Sequence, residues 1–298
     1  MLRKVGTGAF GAVALALLVA AVWQQRAAFS AGVARLSWQA VVVAGLSGGA
    51  GLYASFMTWR SAMASVGAPL SGAHAGRVYF LSQLGKYLPG SVWPVLAQME
   101  MTKARGIGRS RSGAASILAM VVSVVTSSAV AAVALAFTVA ESLLSYWYLF
   151  LAVPVGIAIL APPVLGRIMG AMSRLTGGRI EAFVPTWRGI LASTGWALVM
   201  WFVYGLHALA ILNSLAAPGH VSYVRALGAF SLAWVVGFLV VIAPAGIGPR
   251  EGALVVALSG VLGAPDALVF AVVSRVMLTL ADGLAGGAGV LLTRGRRR

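Results

Sequence analysis

Residues 113–139 read GAASILAMVVSVVTSSAVAAVALAFTV, twenty-seven positions without one ionisable side chain. Wound as α-helix, such a run is about 40 Å long, more than enough to cross a hydrocarbon core of about 30 Å. Leu36 to Trp59 and Ala226 to Pro249 repeat the pattern, whereas a transmembrane barrel would show short alternating strands. The whole composition agrees: 60% of the 298 residues are hydrophobic, 9% are charged, and the mean hydropathy is +0.94. No ordinary soluble domain covers so much apolar surface with so few polar groups. The largest hydrophilic stretch, Arg60 to Ser112, is interrupted by the apolar Val78 to Ala97. The expected fold is therefore all-α, a polytopic helical bundle of about seven to eight spans forming one transmembrane domain over residues 1–298.

Working outward, Val5 to Trp23 follows Arg3 and Lys4 and is long enough to stay as a first helix, with no small-residue cleavage site after it. Further helices are expected at Trp38–Trp59, Gly113–Val139, Leu143–Leu165, Ile190–Leu212, Ala226–Ala243 and Ala267–Leu292. Trp23, Trp38, Trp59, Trp147 and Trp187 fall at these helix ends, where an indole prefers the headgroup level. The net charge of +16 arises from 22 basic against six acidic residues. Most of the basic ones lie at segment ends, as the positive-inside rule requires, and attraction to anionic lipids at the cytoplasmic face follows from it. The N-terminus, Lys103–Arg111, Arg167–Arg188 and the tail Arg294–Arg298 are thus expected in the cytoplasm of a multi-pass cell-membrane protein, with Arg26 and Arg35 as exceptions outside. Heavy use of Ala, Gly, Val and Arg, with three lysines, is what a GC-rich bacterial genome encodes.

Two apolar stretches do not read as complete helices. Ala75 to Met101 carries Arg77, Lys86 and Glu100 around a Pro89-Gly90 break, and Ile242 to Gly263 is broken by Pro244, Gly246, Gly248 and Pro249 and carries Arg250 and Glu251. Backbone interrupted in this way survives at membrane depth only inside protein or beside a polar cavity. Pro89 and Pro244 are 155 residues apart, close to half the chain. This spacing suggests repeat halves 1–140 and 188–293 whose broken helices meet at a substrate site near the midplane; two plain proline kinks are the blander account. With Lys103–Arg111 inside, Ala75–Met101 must be re-entrant, and the second broken segment is expected to help make a full crossing. Parallel and inverted halves both remain open.

Ionisable groups within spans are costly and so mark candidate sites. Arg275 and Asp282, seven residues apart, share one face of the last helix; they line a cavity or pair with neighbouring helices. Arg250 and Glu251 open a short helix whose exposed amides attract anions, and a guanidinium fork suits phosphate. Glu251 orients Arg250, caps the amides or carries a proton. Lys86 and Tyr87 precede the other turn, with Trp93 beyond it and Glu100 at the segment's end; Lys86 contacts an anion or snorkels. Ser116, Ser123 and Ser127, and the pairs Gly45/Gly49 and Gly283/Gly287, are explained by close helix packing. There is no cysteine, and His74, His207 and His220 have no metal-ligand spacing. No catalytic triad, paired carboxylates or nucleotide-binding loop appears, so no catalytic residue, cofactor, metal or nucleic-acid partner is expected.

The run LGKYLPGSVW at 84–93, followed by Lys103-Ala104-Arg105-Gly106, and the run APAGIGPREGAL at 243–254, followed by Ser274-Arg275, resemble the membrane region of lysylphosphatidylglycerol synthases and their free-standing flippase-like relatives. Ala245 stands where that family usually has the first of two glycines after proline. The resemblance implies a membrane region that moves an anionic or head-group-modified lipid between leaflets. These residues include no synthase domain, so aminoacyl transfer is not implied. From residues and resemblance together, the expected function is a flippase-like transporter of an anionic phospholipid or polyprenyl-phosphate-linked sugar. In that reading Lys86, Arg250 and Arg275 hold the phosphate, Glu100, Glu251 and Asp282 balance them when the cavity is empty, and Tyr87, Pro89, Gly90, Trp93, Pro244, Gly246 and Gly248 complete the site. The alternatives are a polyprenyl-phosphate sugar transferase with Glu100 or Glu251 as base, and a scaffold without transport. The topology is checked directly by single cysteines in this cysteine-free chain: Ser110→Cys and Gly295→Cys should resist an impermeant thiol reagent added outside, and strong external labelling of either would overturn the assignment.

Overall fold

The computed structural model describes residues 26–87, 92–138, 152–175, 177, 183–216, 221–240 and 248–294. The expected helix Val5–Trp23, residues 143–151 of the fourth helix, Pro89-Gly90, Pro244 and Gly246 lie outside the described residues, as do Trp23, Trp147 and His220. Among the described residues every regular element is helical: α1 Arg26–Ala34, α2 Trp38–Ser65, α3 Gly72–Gln83, a 3₁₀ turn Leu84–Tyr87, α4 Trp93–Lys103, α5 Arg109–Ala136, α6 Ala152–Leu160, α7 Pro162–Leu175, α8 Trp187–Leu215, α9 Tyr223–Leu239, α10 Pro249–Leu258 and α11 Ala264–Arg294. By length and apolarity α2, α5, α8 and α11 can each cross a membrane. The polytopic all-helical bundle read from the sequence is what the chain forms.

Local chemistry sets the helix starts. Ser37, Thr186 and Ser222 accept hydrogen bonds from the amides of Ala40, Gly189 and Arg225, satisfying donors a helix start leaves open. Pro162 and Pro163 bring no amide hydrogen, and the chain bends by 63° between Leu160 and Pro162. The expected continuous helix Leu143–Leu165 is therefore corrected to two segments.

One end of the bundle gathers the last turn of α2, the N-cap of α8, the start of α3 and α5 and the end of α11. Thr186 N donates to Ser65 O at 3.0 Å, and Gly289 of α11 faces Arg77 of α3. This is the basic end, carrying Lys103, Arg105, Arg109 and Arg111. At the opposite end Arg35 donates to Leu215 O at 2.8 Å and pairs with Asp266. Arg225 there donates to Thr138 O at 3.2 Å and Ser259 O at 2.7 Å.

These ties define two hairpins. The α3–α4 hairpin enters and leaves at the basic end, the re-entrant course expected for Ala75–Met101. The α9–α10 hairpin does the same from the opposite end, because Arg225 beside the start of α9 holds the carbonyls of Ala257 and Ser259 at the close of α10. The expectation that the second broken segment helps make a full crossing is thus corrected. The helix expected as Ala226–Ala243 is only the descending arm of a hairpin.

The packing is symmetric in pattern. Exchanging α2, α3, α4 and α5 for α8, α9, α10 and α11 turns the pair α3–α11 into α9–α5, α2–α11 into α8–α5, and α4–α5 into α10–α11, all of which pack in the structure. The pair α2–α8, the most extensive of all, maps onto itself. Its helices are antiparallel, since the end of α2 meets the start of α8 while Ala44 near the start of α2 meets His207 near the end of α8. The two sets therefore run in opposite directions. The prolines carry the same offset: Pro89 and Pro94 are five apart, as are Pro244 and Pro249.

Small residues let the central pair approach closely, but in a different register from the expected one. Gly49, Gly283 and Gly287 face open space, and Gly45 has only the tip of Met277 nearby. The contacts fall instead at Gly48 against His207 and Leu278, Gly51 against Tyr204, and Gly286 against Leu84. Trp59 is corrected as well: α2 continues to Ser65, leaving this indole 2% exposed and donating to Ser116 Oγ at 3.2 Å. Trp38 and Trp187 do stand exposed at helix starts. A β-carbon on Gly189 would lie 2.3 Å from Ser65 Cβ and 2.6 Å from its Cα, while one on Gly195 of the same helix meets nothing within 4 Å. Gly189→Ala should destabilise the protein by about 1–3 kcal/mol in detergent thermal unfolding, and Gly195→Ala should be neutral or stabilising by up to about 1 kcal/mol; equal behaviour would refute the α2–α8 register.

Candidate functional site

A cavity of about 290 Å³ lies between the hairpin tips and the long helices α2, α5, α8 and α11. Its charged wall is built on α11. Asp282 sits about 27 Å along the axis from Ala264 and about 18 Å from Arg294 at 1.5 Å per residue, well inside the span. The α3–α4 tip reaches it from the basic end: Lys86 Nζ lies 2.5 Å from Asp282 Oδ2, and the Tyr87 hydroxyl donates to the same oxygen at 2.5 Å. One turn-pair earlier on the same face, Arg275 Nη2 lies 3.3 Å from Glu251 Oε1 on the tip of the other hairpin. Arg275 and Asp282 both line the cavity and both hold a hairpin, so the two readings of that pair are combined in one arrangement.

Local structure fixes the second tip. Gly248 has φ +95°, a region that favours glycine, and Pro249 occupies the first helical turn of α10. Gly248 N donates to Glu251 Oε2 at 2.6 Å, so Glu251 caps the helix with one oxygen and receives Arg275 with the other. Of the three roles open to Glu251 the geometry shows the capping one, and the Arg250 guanidinium rests over Phe230, 5.0 Å from its ring centroid. Arg250 faces the cavity, and among the described residues no carboxylate lies within ion-pair distance of it.

Glu100 does not join this group. It stands exposed near the basic end in a two-point pair with Arg109, Nε to Oε1 at 2.6 Å and Nη2 to Oε2 at 2.7 Å. Arg109's hydrogen bond holds the Glu100 carboxyl below its usual range. Trp93 is 42% exposed, and its neighbours Pro94 and Val95 face the cavity instead. Lys86, Tyr87, Arg250, Arg275 and Asp282 are therefore brought together, with Gly248 and Glu251 directly behind them.

The opposite wall is polar without charge. Gln98 Nε2 donates to Ser82 Oγ at 2.9 Å, Ser116 donates to Gln98 Oε1, and Tyr79 and Ser55 share a hydrogen bond of 2.6 Å. Gln98 was missed in the sequence, although an amide inside the apolar arm of a broken helix is the same kind of signal as a charge there. Ser116 and Ser123 line this wall, whereas Ser127 donates to Ser231 O and ties α5 to α9. Trp234 and Phe238 add a stacked aromatic face, with centroids 5.1 Å apart and planes 6° from parallel. His207 serves packing: Nδ1 donates to Ala44 O at 2.8 Å, and Nε2 then accepts from Ser274 at 2.9 Å. Among the described residues no cluster of three metal-ligating side chains occurs.

Comparison with known proteins supplies the family. No curated protein sequence matches the chain. The family model for the lysylphosphatidylglycerol synthase TM region matches residues 7–286, which includes both hairpins and every residue of the cavity. The chain is a multi-pass membrane protein that belongs to the lysylphosphatidylglycerol synthase transmembrane-region family.

Proposed function

We propose that this protein carries a phosphate-bearing lipid head group between the leaflets of the cell membrane, sheltering it in the central cavity while the hydrophobic chains stay in lipid. The observation that carries the reading is Arg250, a guanidinium facing a cavity deep in the bundle with no ion-paired carboxylate among the described residues. A cation in such a place requires a counter-charge, and a lipid phosphate supplies one with the planar two-point geometry that arginine prefers.

The two hairpins reach the cavity from opposite ends, so each is suited to gate access from its own leaflet. In the empty protein Lys86–Asp282 and Arg275–Glu251 fasten both tips to α11. An arriving phosphate competes with Glu251 for Arg275 and weakens the clamp on one tip. Energy would come from the lipid gradient, protons or the membrane potential, since no nucleotide-binding motif is present in the sequence.

The transferase reading needs a carboxylate free to act as base. Glu100 is held by Arg109 away from the cavity, and Glu251 is held by the Gly248 amide and Arg275. Both observations favour transport.

The test is lipid exchange in reconstituted vesicles. Arg250→Lys keeps the charge and loses the planar fork, so exchange of an anionic phospholipid should fall about tenfold, equivalent to about 1.4 kcal/mol. Arg250→Met should lower it further. Arg174→Lys, on the exposed face of α7, serves as control and should leave the rate unchanged; equal rates for Arg250→Lys and Arg174→Lys would reject the phosphate grip.

A further inference from the structure

We infer that the transported head group carries a single net negative charge, borne by a phosphodiester, and is otherwise uncharged and rich in hydroxyls; this rests on the transport reading above. The first ground is charge balance. Lys86, Arg250 and Arg275 face the cavity with Asp282, and Glu251 stands directly behind Arg275. Among the described residues, three cations against two carboxylates leave one positive charge. The segments 88–91 and 241–247, which lie outside the described residues, read LPGS and VIAPAGI and contain nothing ionisable. Two further described carboxylates, Glu100 and Asp266, are engaged by Arg109 and Arg35 away from the cavity. A monoanion therefore brings the occupied cavity to neutrality, the state that a low-dielectric interior favours.

The second ground is that, among the described residues, each carboxylate at the cavity already holds a cation. Asp282 already receives Lys86 and the Tyr87 hydroxyl on one oxygen, and Glu251 receives the Gly248 amide and Arg275. A head group bearing an ammonium would have to share a carboxylate with Lys86 or Arg275, and it would add to the excess of positive charge rather than cancel it.

The third ground is the far wall. Its polar groups are amides, hydroxyls and indoles. Gln98 spends one amide proton on Ser82 and has a second to give. Gln83 lines the cavity, and its side-chain amide makes no hydrogen bond to a described residue. Neutral donors and acceptors of this kind, beside the flat Trp234–Phe238 face, match hydroxyls on a glycerol or a sugar ring.

The experiment uses the full chain in phosphatidylcholine vesicles and four labelled probes: phosphatidylglycerol, a polyprenyl-phosphohexose, phosphatidylcholine, and phosphatidylglycerol carrying a lysyl ester. The inference requires at least one of the first two to exchange about tenfold or more faster than the last two, and the faster of the pair identifies glycerol or sugar as the source of the hydroxyls. Comparable exchange of the lysyl ester or the choline lipid would overturn the inference while leaving transport standing. Exchange of none would overturn transport itself and the inference with it. A second measurement uses Gln83→Glu, which adds a carboxylate to the cavity lining: the preference for the monoanion over the lysyl ester should shrink at least about tenfold in protein that elutes as the wild type does. An unchanged preference in such protein would count against the charge-balance argument.

Discussion

Hydrocarbon offers no hydrogen bonds, and that constraint governs this molecule more than any single contact. A helix that stops halfway across a membrane exposes amides and carbonyls that lipid cannot satisfy. Here two helical segments stop that way, and each is met by protein. Glu251 takes the Gly248 amide at one tip, and the turn before the other is anchored to Asp282 through Lys86 and Tyr87. Arg275, which holds Glu251, and Asp282 both stand on α11, on one face, seven residues apart. The long helix, the hairpins and the cavity are therefore one solution to one problem.

Charge follows from the same constraint. Lys86 and Arg275 are neutralised where they stand by Asp282 and Glu251, and the hydroxyls of α2 and α5 largely turn back onto their own helices, as Thr58 does to Ala54 O and Thr126 to Val122 O. Against this economy Arg250 stands apart, resting on an aromatic ring. A polar head group meeting it would be bound at a depth where water is scarce and where the electrostatic attraction is strong.

Much of this was legible in the sequence because it rests on rules with few exceptions. Long apolar runs gave the spans, proline and glycine gave the breaks, and rare charges at Lys86, Arg250, Arg275 and Asp282 marked the cavity. What was not legible depends on partners distant in the chain. Nothing local distinguishes Ala226–Ala243 as half a hairpin from a full crossing; that is decided by Arg225 reaching the carbonyls of Ala257 and Ser259. Glu100 looked like a cavity carboxylate until Arg109, across the α4–α5 turn, was seen to hold it outside. The glycine pairs were shifted by a few positions, because spacing along one helix does not reveal the rotation at which its neighbour arrives. Trp59 was placed at a membrane surface because α2 was ended a turn and a half too soon.

The central claim is that the cavity between the two tips receives a lipid phosphate. Electron cryomicroscopy of the protein in nanodiscs containing phosphatidylglycerol tests it most directly. The account predicts head-group density inside the bundle with its phosphate in hydrogen-bonding contact with the guanidinium groups of Arg250 and Arg275. Lipid density confined to the outer surface, with the cavity holding only water, would contradict it.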